Sequence, residues 1–323
     1  MSDTLKKLAP LVRQVNEVMA ELIARDEEAA SRIGSYSFEG GGKRLRPLLF
    51  CLLTEALGEE LSRKKLEMAS AFEFLHMATL IHDDIVDLAE TRRGRTAAHL
   101  VFGVPEAVLG GDYLLAKSSL LGADTANMEC ITIMAGIVSA LSLGELTQLS
   151  CRRQVELPES DYFKIIYRKT AILMEGAVKC AAVLAGASQE LIKASAAFGQ
   201  AFGLAFQIID DILDYQGDEA AFGKPVGHDL EEGKITLPFI RAREAAVGDA
   251  RGRLCELAGR NPLERAEREE VIRMVIASGG VESARLKAEE LSREAVKALD
   301  VFPPSAAKEI LRSLAAEAVS RNF

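Results

Sequence analysis

Cysteine is sparse in this chain, and what there is does not pair. The five residues, Cys51, Cys130, Cys151, Cys180 and Cys255, are odd in number and form no C-x-x-C motif, which argues against structural zinc and a disulfide framework. Long uncharged runs are missing too. The longest covers positions 194–209, sixteen residues against the ~20 that span a bilayer, so no transmembrane segment is expected. Charges appear within the first few residues, which leaves no secretory h-region. Basic residues are in deficit: 39 Lys and Arg stand against 48 Asp and Glu, a net charge of −9, the wrong sign for a general nucleic-acid binder. The expectation is a soluble, cytoplasmic protein.

Proline is scarce in an informative way. Only nine occur, none between positions 48 and 104 and none between 159 and 224. Proline interrupts helix interiors, so these tracts permit long helices. Residues 66–81 carry apolar side chains at helical spacing, residues 175–209 are apolar nearly all round, as in a helix buried inside a bundle, and residues 281–291 are amphipathic. No Ser/Gly linker divides the 323 residues. The pattern predicts an all-α fold, a single-domain bundle of long helices over 1–323, where length alone suggests about two domains.

Chemistry concentrates where the helical pattern breaks. His82-Asp-Asp-Ile-Val-Asp87 ends one apolar tract and Ile209-Asp-Asp-Ile-Leu-Asp214 ends another, the same D-D-x-x-D spacing 127 positions later. On a helix Asp83 and Asp87 lie one turn apart on a face that Asp84 borders, and Asp210, Asp211 and Asp214 repeat the geometry. Carboxylates so gathered repel one another unless cations neutralise them. An oxygen-only donor set suits Mg²⁺, which fills its remaining positions with water and substrate phosphate, so several ions per site are expected. Cationic side chains stand nearby. Lys43 and Arg46 follow three glycines whose bare backbone can approach an anion. Arg92 and Arg93 follow the first cluster, Lys169 and Thr170 open an apolar tract, and Lys224 and Lys234 flank the loop after the second cluster. Guanidinium groups match phosphate oxygens with a fork of donors.

These residues resemble the trans-isoprenyl diphosphate synthases, or polyprenyl synthetases. The resemblance rests on Gly41-Gly-Lys-Arg-Leu-Arg-Pro47, on Leu75-His-Met-Ala-Thr-Leu-Ile-His-Asp-Asp-Ile-Val-Asp87 through Arg92-Arg-Gly94, on Gly111-Asp-Tyr113 and on Gly144-Glu-Leu-Thr-Gln148. It continues through Lys169-Thr-Ala171, Phe206-Gln-Ile-Ile-Asp-Asp-Ile-Leu-Asp214 and Asp229-Leu-Glu-Glu-Gly-Lys-Ile-Thr-Leu-Pro238.

The resemblance implies an all-helical fold around a deep central cavity, usually a homodimer. It implies a head-to-tail condensation of isopentenyl diphosphate with an allylic diphosphate, with trans geometry. Both aspartate clusters would then hold Mg²⁺ on the allylic diphosphate. Arg92, Lys169, Thr170, Gln207 and Lys234 would contact that diphosphate, with Lys224 nearby. Lys43, Arg46, His76 and Arg93 would form a metal-free pocket for isopentenyl diphosphate. Asp83, Asp84, Asp87, Arg92, Lys169, Asp210 and Asp211 would carry the catalysis, and His82 is read as structural.

Product length is read from the helix preceding Asp83. In the family, bulky aromatics at the positions of Ala78 and Thr79 floor the cavity. Two small residues here, with Leu75 another turn down, imply a long-chain product of about octaprenyl length, the kind used for quinone side chains. A short-chain farnesyl or geranylgeranyl synthase is the alternative within the family, and a non-catalytic partner subunit is the alternative of another class. A class I terpene cyclase would need neither the Gly41–Arg46 motif nor a second D-D-x-x-D.

Overall fold

The computed structural model describes residues 3–216 and 226–320. Lys224 lies outside the described residues. The protein is all-α, as the proline-free tracts predict, and its one sheet among the described residues is a two-stranded hairpin, Thr91–Arg92 with Arg95–Thr96.

The chain divides into two compact units. The first comprises Met1–Gly136, Gly176–Ala196 and Asp300–Ser313, the second Ile137–Glu175, Ala197–Leu299 and Leu314–Phe323. At the centre of the first is the helix Arg63–Val86, started by the Ser62 hydroxyl, which accepts the Lys65 N–H. It packs on helices Leu45–Ala56, Ala9–Ala24 and Val104–Ala123. Phe50 and Phe72 meet there with ring centroids 6.1 Å apart, both fully buried. In the second unit, Ile208, Ile209 and Ile212 project from the helix Gln189–Gln216 into a core with Leu237, Phe239 and Val271. Each such side chain withdrawn from water contributes about 1.5–3 kcal/mol. These apolar faces hold still the helices whose last turns carry the aspartates.

Two sequence expectations change. Residues 175–209 do not form one helix. They divide between Ile172–Leu184 and Gln189–Gln216, because Gly186 adopts φ +63° and Ser188 restarts the helix by accepting the Leu191 N–H. Apolarity set the expectation, but glycine conformation decided the break. Also, two helices, Met128–Ser150 and Gln189–Gln216, are long and apolar enough by length and composition to cross a membrane, although no uncharged run is. More than half of the apolar window in Gln189–Gln216 is buried inside the protein, at 56%, as in a core helix.

Candidate active site

In the first unit the helix Arg63–Val86 ends inside the aspartate cluster. Asp87 caps it, and its N–H donates to the Asp83 carbonyl at 2.8 Å, so the two residues stand one turn apart as predicted. Asp83 and Asp87 are half-buried, whereas Asp84 is 4% exposed. Its Oδ1 accepts from Arg92 Nε at 2.7 Å and also from Nη2. Carboxylates at the negative end of a helix oppose the macrodipole as well as one another, a position that attracts cations.

The hairpin presents the arginines. Its turn residues, Arg93 and Gly94, have φ of +53° and +74°, the left-handed pair that a two-residue hairpin loop requires. Arg92 and Arg93 line a cleft together with His76, Glu73 and Asp84. Burial, then the charges of Arg46, Arg93, Arg92 and Arg44, hold the His76 imidazolium well below its ordinary pKa. The ring is neutral at pH 7 and offers one N–H and one lone pair. Neither Lys43, which is exposed, nor the half-buried Arg46 is among the residues lining this cleft. His82 bonds the backbone, with Nε2 3.2 Å from the Val108 carbonyl, in keeping with a structural role. Ala78 is buried and Thr79 half-buried, its hydroxyl donating to the His76 carbonyl at 2.8 Å. Leu75 is buried beside them.

In the second unit Lys169 and Thr170 sit on a π-helical turn, Tyr167–Ala171. Such turns are rare inside helices and recur at functional sites. Two glycines accommodate it. A Cβ on Gly203 would lie 2.5 Å from Ala171 Cα, and one on Gly144 would lie 2.8 Å from Arg168 Cβ. Lys169 Nζ pairs with Glu145 at 2.5 Å and donates to Gln148 Oε1 at 2.6 Å. Thr170 donates to Gln207 Oε1 at 2.7 Å, and Gln207 Nε2 donates to Asp211 Oδ1 at 2.9 Å. Asp211 Oδ2 accepts from the buried Tyr162 hydroxyl at 2.6 Å. Both oxygens of Asp211 are thereby oriented, each keeping a lone pair.

Asp214 is tied differently. Its two oxygens accept the backbone N–H groups of His228 and Asp229 at 3.1 and 3.0 Å, which anchors the next short helix, His228–Glu231. Asp210 is exposed, and Lys234 pairs with Glu232. Burial and the nearby Asp229 push Asp214 up to about 7. Burial, then Asp229, raise Asp211 well above the carboxylate range, against the opposing bonds from Tyr162 and Gln207. Asp229 is itself raised by burial, with Lys234 opposing. Burial thus makes the charged form of each of these carboxylates costly, and a bound cation would offset that cost.

Among the described residues no three carboxylate, thiol or imidazole side chains are already gathered closely enough to enclose an ion. The carboxylates expected to converge are therefore not a ready-made cage, because neighbouring positions on a helix point about 100° apart, and an ion held there would take one or two of them with water and phosphate oxygens. Oxygen-only donors, two of them the buried Asp84 and Asp211, are the right chemistry for an ion that arrives with a diphosphate. Tyr162, Glu145, Gln148 and Asp229 were not assigned roles from the sequence. Glu145 and Gln148 lie in a recognisable motif, but nothing local marks Tyr162, which reaches Asp211 only through the tertiary fold.

One prediction arises from the π turn. Gly203→Ala should displace Ala171 and with it Lys169 and Thr170, a packing conflict of about 1–3 kcal/mol. The expected result is a rise of about tenfold in the KM for the allylic diphosphate, with the KM for isopentenyl diphosphate little changed. Steady-state kinetics with each substrate varied in turn would check it.

Comparison with known proteins identifies the family. The polyprenyl synthetase family profile matches residues 27–275. The octaprenyl diphosphate synthase of Haemophilus influenzae is 36% identical over 322 residues, covering 99% of this chain and 97% of that protein. A decaprenyl diphosphate synthase structure from Rhodobacter capsulatus superposes with a TM-score of 0.90 at 34% identity, covering 98% of each chain. A polyprenyl synthase from Caulobacter crescentus, solved in complex with calcium and isoprenyl diphosphate, superposes with a TM-score of 0.92 at 34% identity over 99% of this chain and 97% of its own. With the profile running through both aspartate clusters and a third of the residues shared end to end, this chain belongs to the polyprenyl synthetase family.

Proposed function

We propose that the protein is a Mg²⁺-dependent trans-prenyltransferase that condenses isopentenyl diphosphate, head to tail, with an allylic diphosphate to make a long-chain all-trans-polyprenyl diphosphate. The observation that carries the reading is the pair of aspartate clusters at helix ends, each beside side chains able to donate to phosphate: Arg92 on Asp84 in the first, and Lys169, Thr170 and Gln207 around Asp211 in the second. The octaprenyl and decaprenyl names of its relatives support a long product.

The carboxylates of Asp83, Asp84 and Asp87 in the first unit and Asp210, Asp211 and Asp214 in the second are the groups that would hold Mg²⁺. Bound there, the ions act as Lewis acids that absorb charge developing on the leaving diphosphate. Tyr162 and Gln207 keep Asp211 aimed, and the two backbone bonds keep Asp214 in place. Lys169 starts paired with Glu145 and Gln148, so it must exchange those acceptors for phosphate oxygens as the allylic substrate binds. Arg92 makes the same exchange from Asp84. Thr170, Gln207, Lys234 and Lys224 complete the contacts to that diphosphate. Lys43, Arg46, His76 and Arg93 bind isopentenyl diphosphate without metal, His76 as a neutral donor. Departure of the diphosphate leaves an allylic cation, which the isopentenyl double bond attacks. The departing diphosphate then accepts the proton that is lost. Apolar walls keep water from the cation.

The synthetase works as a single domain over 1–323, and the family match through residues 27–275 supports this because it spans both units. It works as a homodimer in the cytoplasm. Helix Val104–Ala123 leaves Val104, Val108, Leu109, Tyr113 and Leu120 exposed, apolar side chains that a second copy could cover.

The test is incubation of the purified protein with farnesyl diphosphate, labelled isopentenyl diphosphate and Mg²⁺, with products resolved by length. Absence of incorporation would sink the synthase reading, and products that stop at geranylgeranyl length would sink the long-chain part.

A pH dependence follows from Asp214. Its folded pKa of about 7 lies above its ordinary carboxylate value. The stability it contributes is therefore fully present below the ordinary value and is lost as pH rises through about 7. The metal-free protein should melt at progressively lower temperature from pH 5 to pH 8. Mg²⁺ with diphosphate needs the ionised form and should flatten that decline. Calorimetric melts across this range, with and without Mg²⁺ and diphosphate, measure both.

A further inference from the structure

Arg44 stands in the sequence between Lys43 and Arg46 and looks like a third phosphate ligand. Its environment says otherwise. Arg44 is 4% exposed, while Lys43 is exposed and Arg46 half-buried. A buried guanidinium is costly unless its donors are used. Arg44 Nε donates to Asn16 Oδ1 at 2.9 Å, Nη2 donates to the Phe38 carbonyl at 2.8 Å, and Nη1 reaches Glu73 Oε1 at 3.2 Å and the Gly41 carbonyl at 3.4 Å. The plane also lies over the Phe38 ring, 4.6 Å from its centroid. Its acceptors come from the helix Ala9–Ala24, the helix Glu28–Glu39, the glycine run and the helix Arg63–Val86. Its own backbone is left-handed, φ +50°, which a non-glycine residue adopts only where surroundings compel it.

The junction reaches the cleft by two routes. The Gly41 carbonyl that accepts from Arg44 also accepts from Arg93 Nη1. Gly42, at φ +139°, lies so close to that guanidinium that a Cβ would sit 2.7 Å from Nη1. Glu73, in turn, sits one residue short of a full turn before His76 and lines the same cleft. One of its oxygens takes Arg44, and the other, Oε2, is buried and accepts no hydrogen bond from the protein. The Glu73–Arg44 pair thus ties the glycine run, which Arg93 also bonds, to the helix that carries His76.

We propose that Arg44 and Glu73 are positioning residues for isopentenyl diphosphate. Arg44 sets the glycine run, and through the Gly41 carbonyl the Arg93 guanidinium, against the His76 face of the cleft. The proposal rests on the reading of this cleft given under Proposed function. A buried ion pair is a weak source of stability, and apolar residues of similar volume often replace one without loss. The geometry it imposes on the loop is what an apolar pair cannot reproduce.

That separation is what the experiment uses. The double variant Arg44→Met/Glu73→Leu removes both charges together but leaves the Asn16, Phe38 and Gly41 acceptors without Arg44, so it should melt somewhat below the parent yet remain folded. Its calorimetric affinity for isopentenyl diphosphate, measured with chelator and no allylic substrate, should fall about tenfold, equivalent to about 1.4 kcal/mol. The KM for isopentenyl diphosphate should rise in parallel, and the KM for the allylic diphosphate should stay within about twofold. Arg44→Lys, which keeps the charge but loses the fork, should show the same split and stands in if the double variant does not fold. Unchanged isopentenyl diphosphate affinity in a folded variant overturns the proposal, as does an equal weakening for both substrates. A parent that binds isopentenyl diphosphate but incorporates none marks a failure of the synthase reading alone, since the affinity comparison needs no turnover.

Discussion

Asp84→Asn is expected to lower kcat by about a thousandfold, about 4 kcal/mol in the transition state. The side chain is buried and already holds Arg92 Nε at 2.7 Å. Asn keeps the size and an acceptor oxygen for Arg92, so the hairpin and the fold should persist. What Asn removes is a full negative charge beside two other carboxylates, and with it the anchor for a cation on the leaving diphosphate. Truncation to Ala would confuse the result, because it also takes the acceptor from Arg92, whose guanidinium is solvent-accessible, at a cost of about 1 kcal/mol in stability. Single-turnover rates with saturating Mg²⁺, together with a melting curve, separate the two effects. A folded Asp84→Asn enzyme within tenfold of the parent would remove Asp84 from the catalytic set.

Ala78→Phe should shorten the product from long-chain to roughly geranylgeranyl length while the first condensations continue at near-parental rate. Ala78 lies on the helix Arg63–Val86, more than one turn before Asp83, so a tail growing away from the metal end along this helix meets it early. The side chain is 2% exposed in the protein. A phenyl group there occupies space that a growing chain needs, at an overpacking cost of about 1–3 kcal/mol if neighbours must shift. Chromatography of the dephosphorylated products distinguishes the outcomes. An unchanged product ladder would show that Ala78 does not line the elongation path, and attention would pass to Leu75 and Thr79.

The two clusters were legible in the sequence because their spacing equals a helical turn and their context is apolar. The hairpin arginines were legible because they follow the first cluster within a few residues. Other features depended on distant pairs. Tyr162 reaches Asp211 across 49 positions, and Arg44 reaches Glu73 across 29. The π turn under Lys169 depends on Gly203, thirty-odd residues away, being small enough to admit Ala171. The break at Gly186 was missed for a local reason: an apolar run reports burial and is silent about where the backbone turns left-handed.

By itself the sequence determined the helical class, the family and the list of charged groups proposed to meet diphosphate, since periodicity, proline placement and motif spacing are properties of neighbours along the chain. Only the tertiary structure decided which of those groups stand ready and which are held. Lys169 is paired with Glu145, Arg92 with Asp84, and Asp214 with two backbone amides. Arg44, indistinguishable from Lys43 and Arg46 in the motif, is withdrawn from solvent to hold the glycine run that precedes them. Charge is written residue by residue, but its partners and its exposure depend on which helices pack together, and burial is what converts a row of carboxylates into a site that must take up protons or cations.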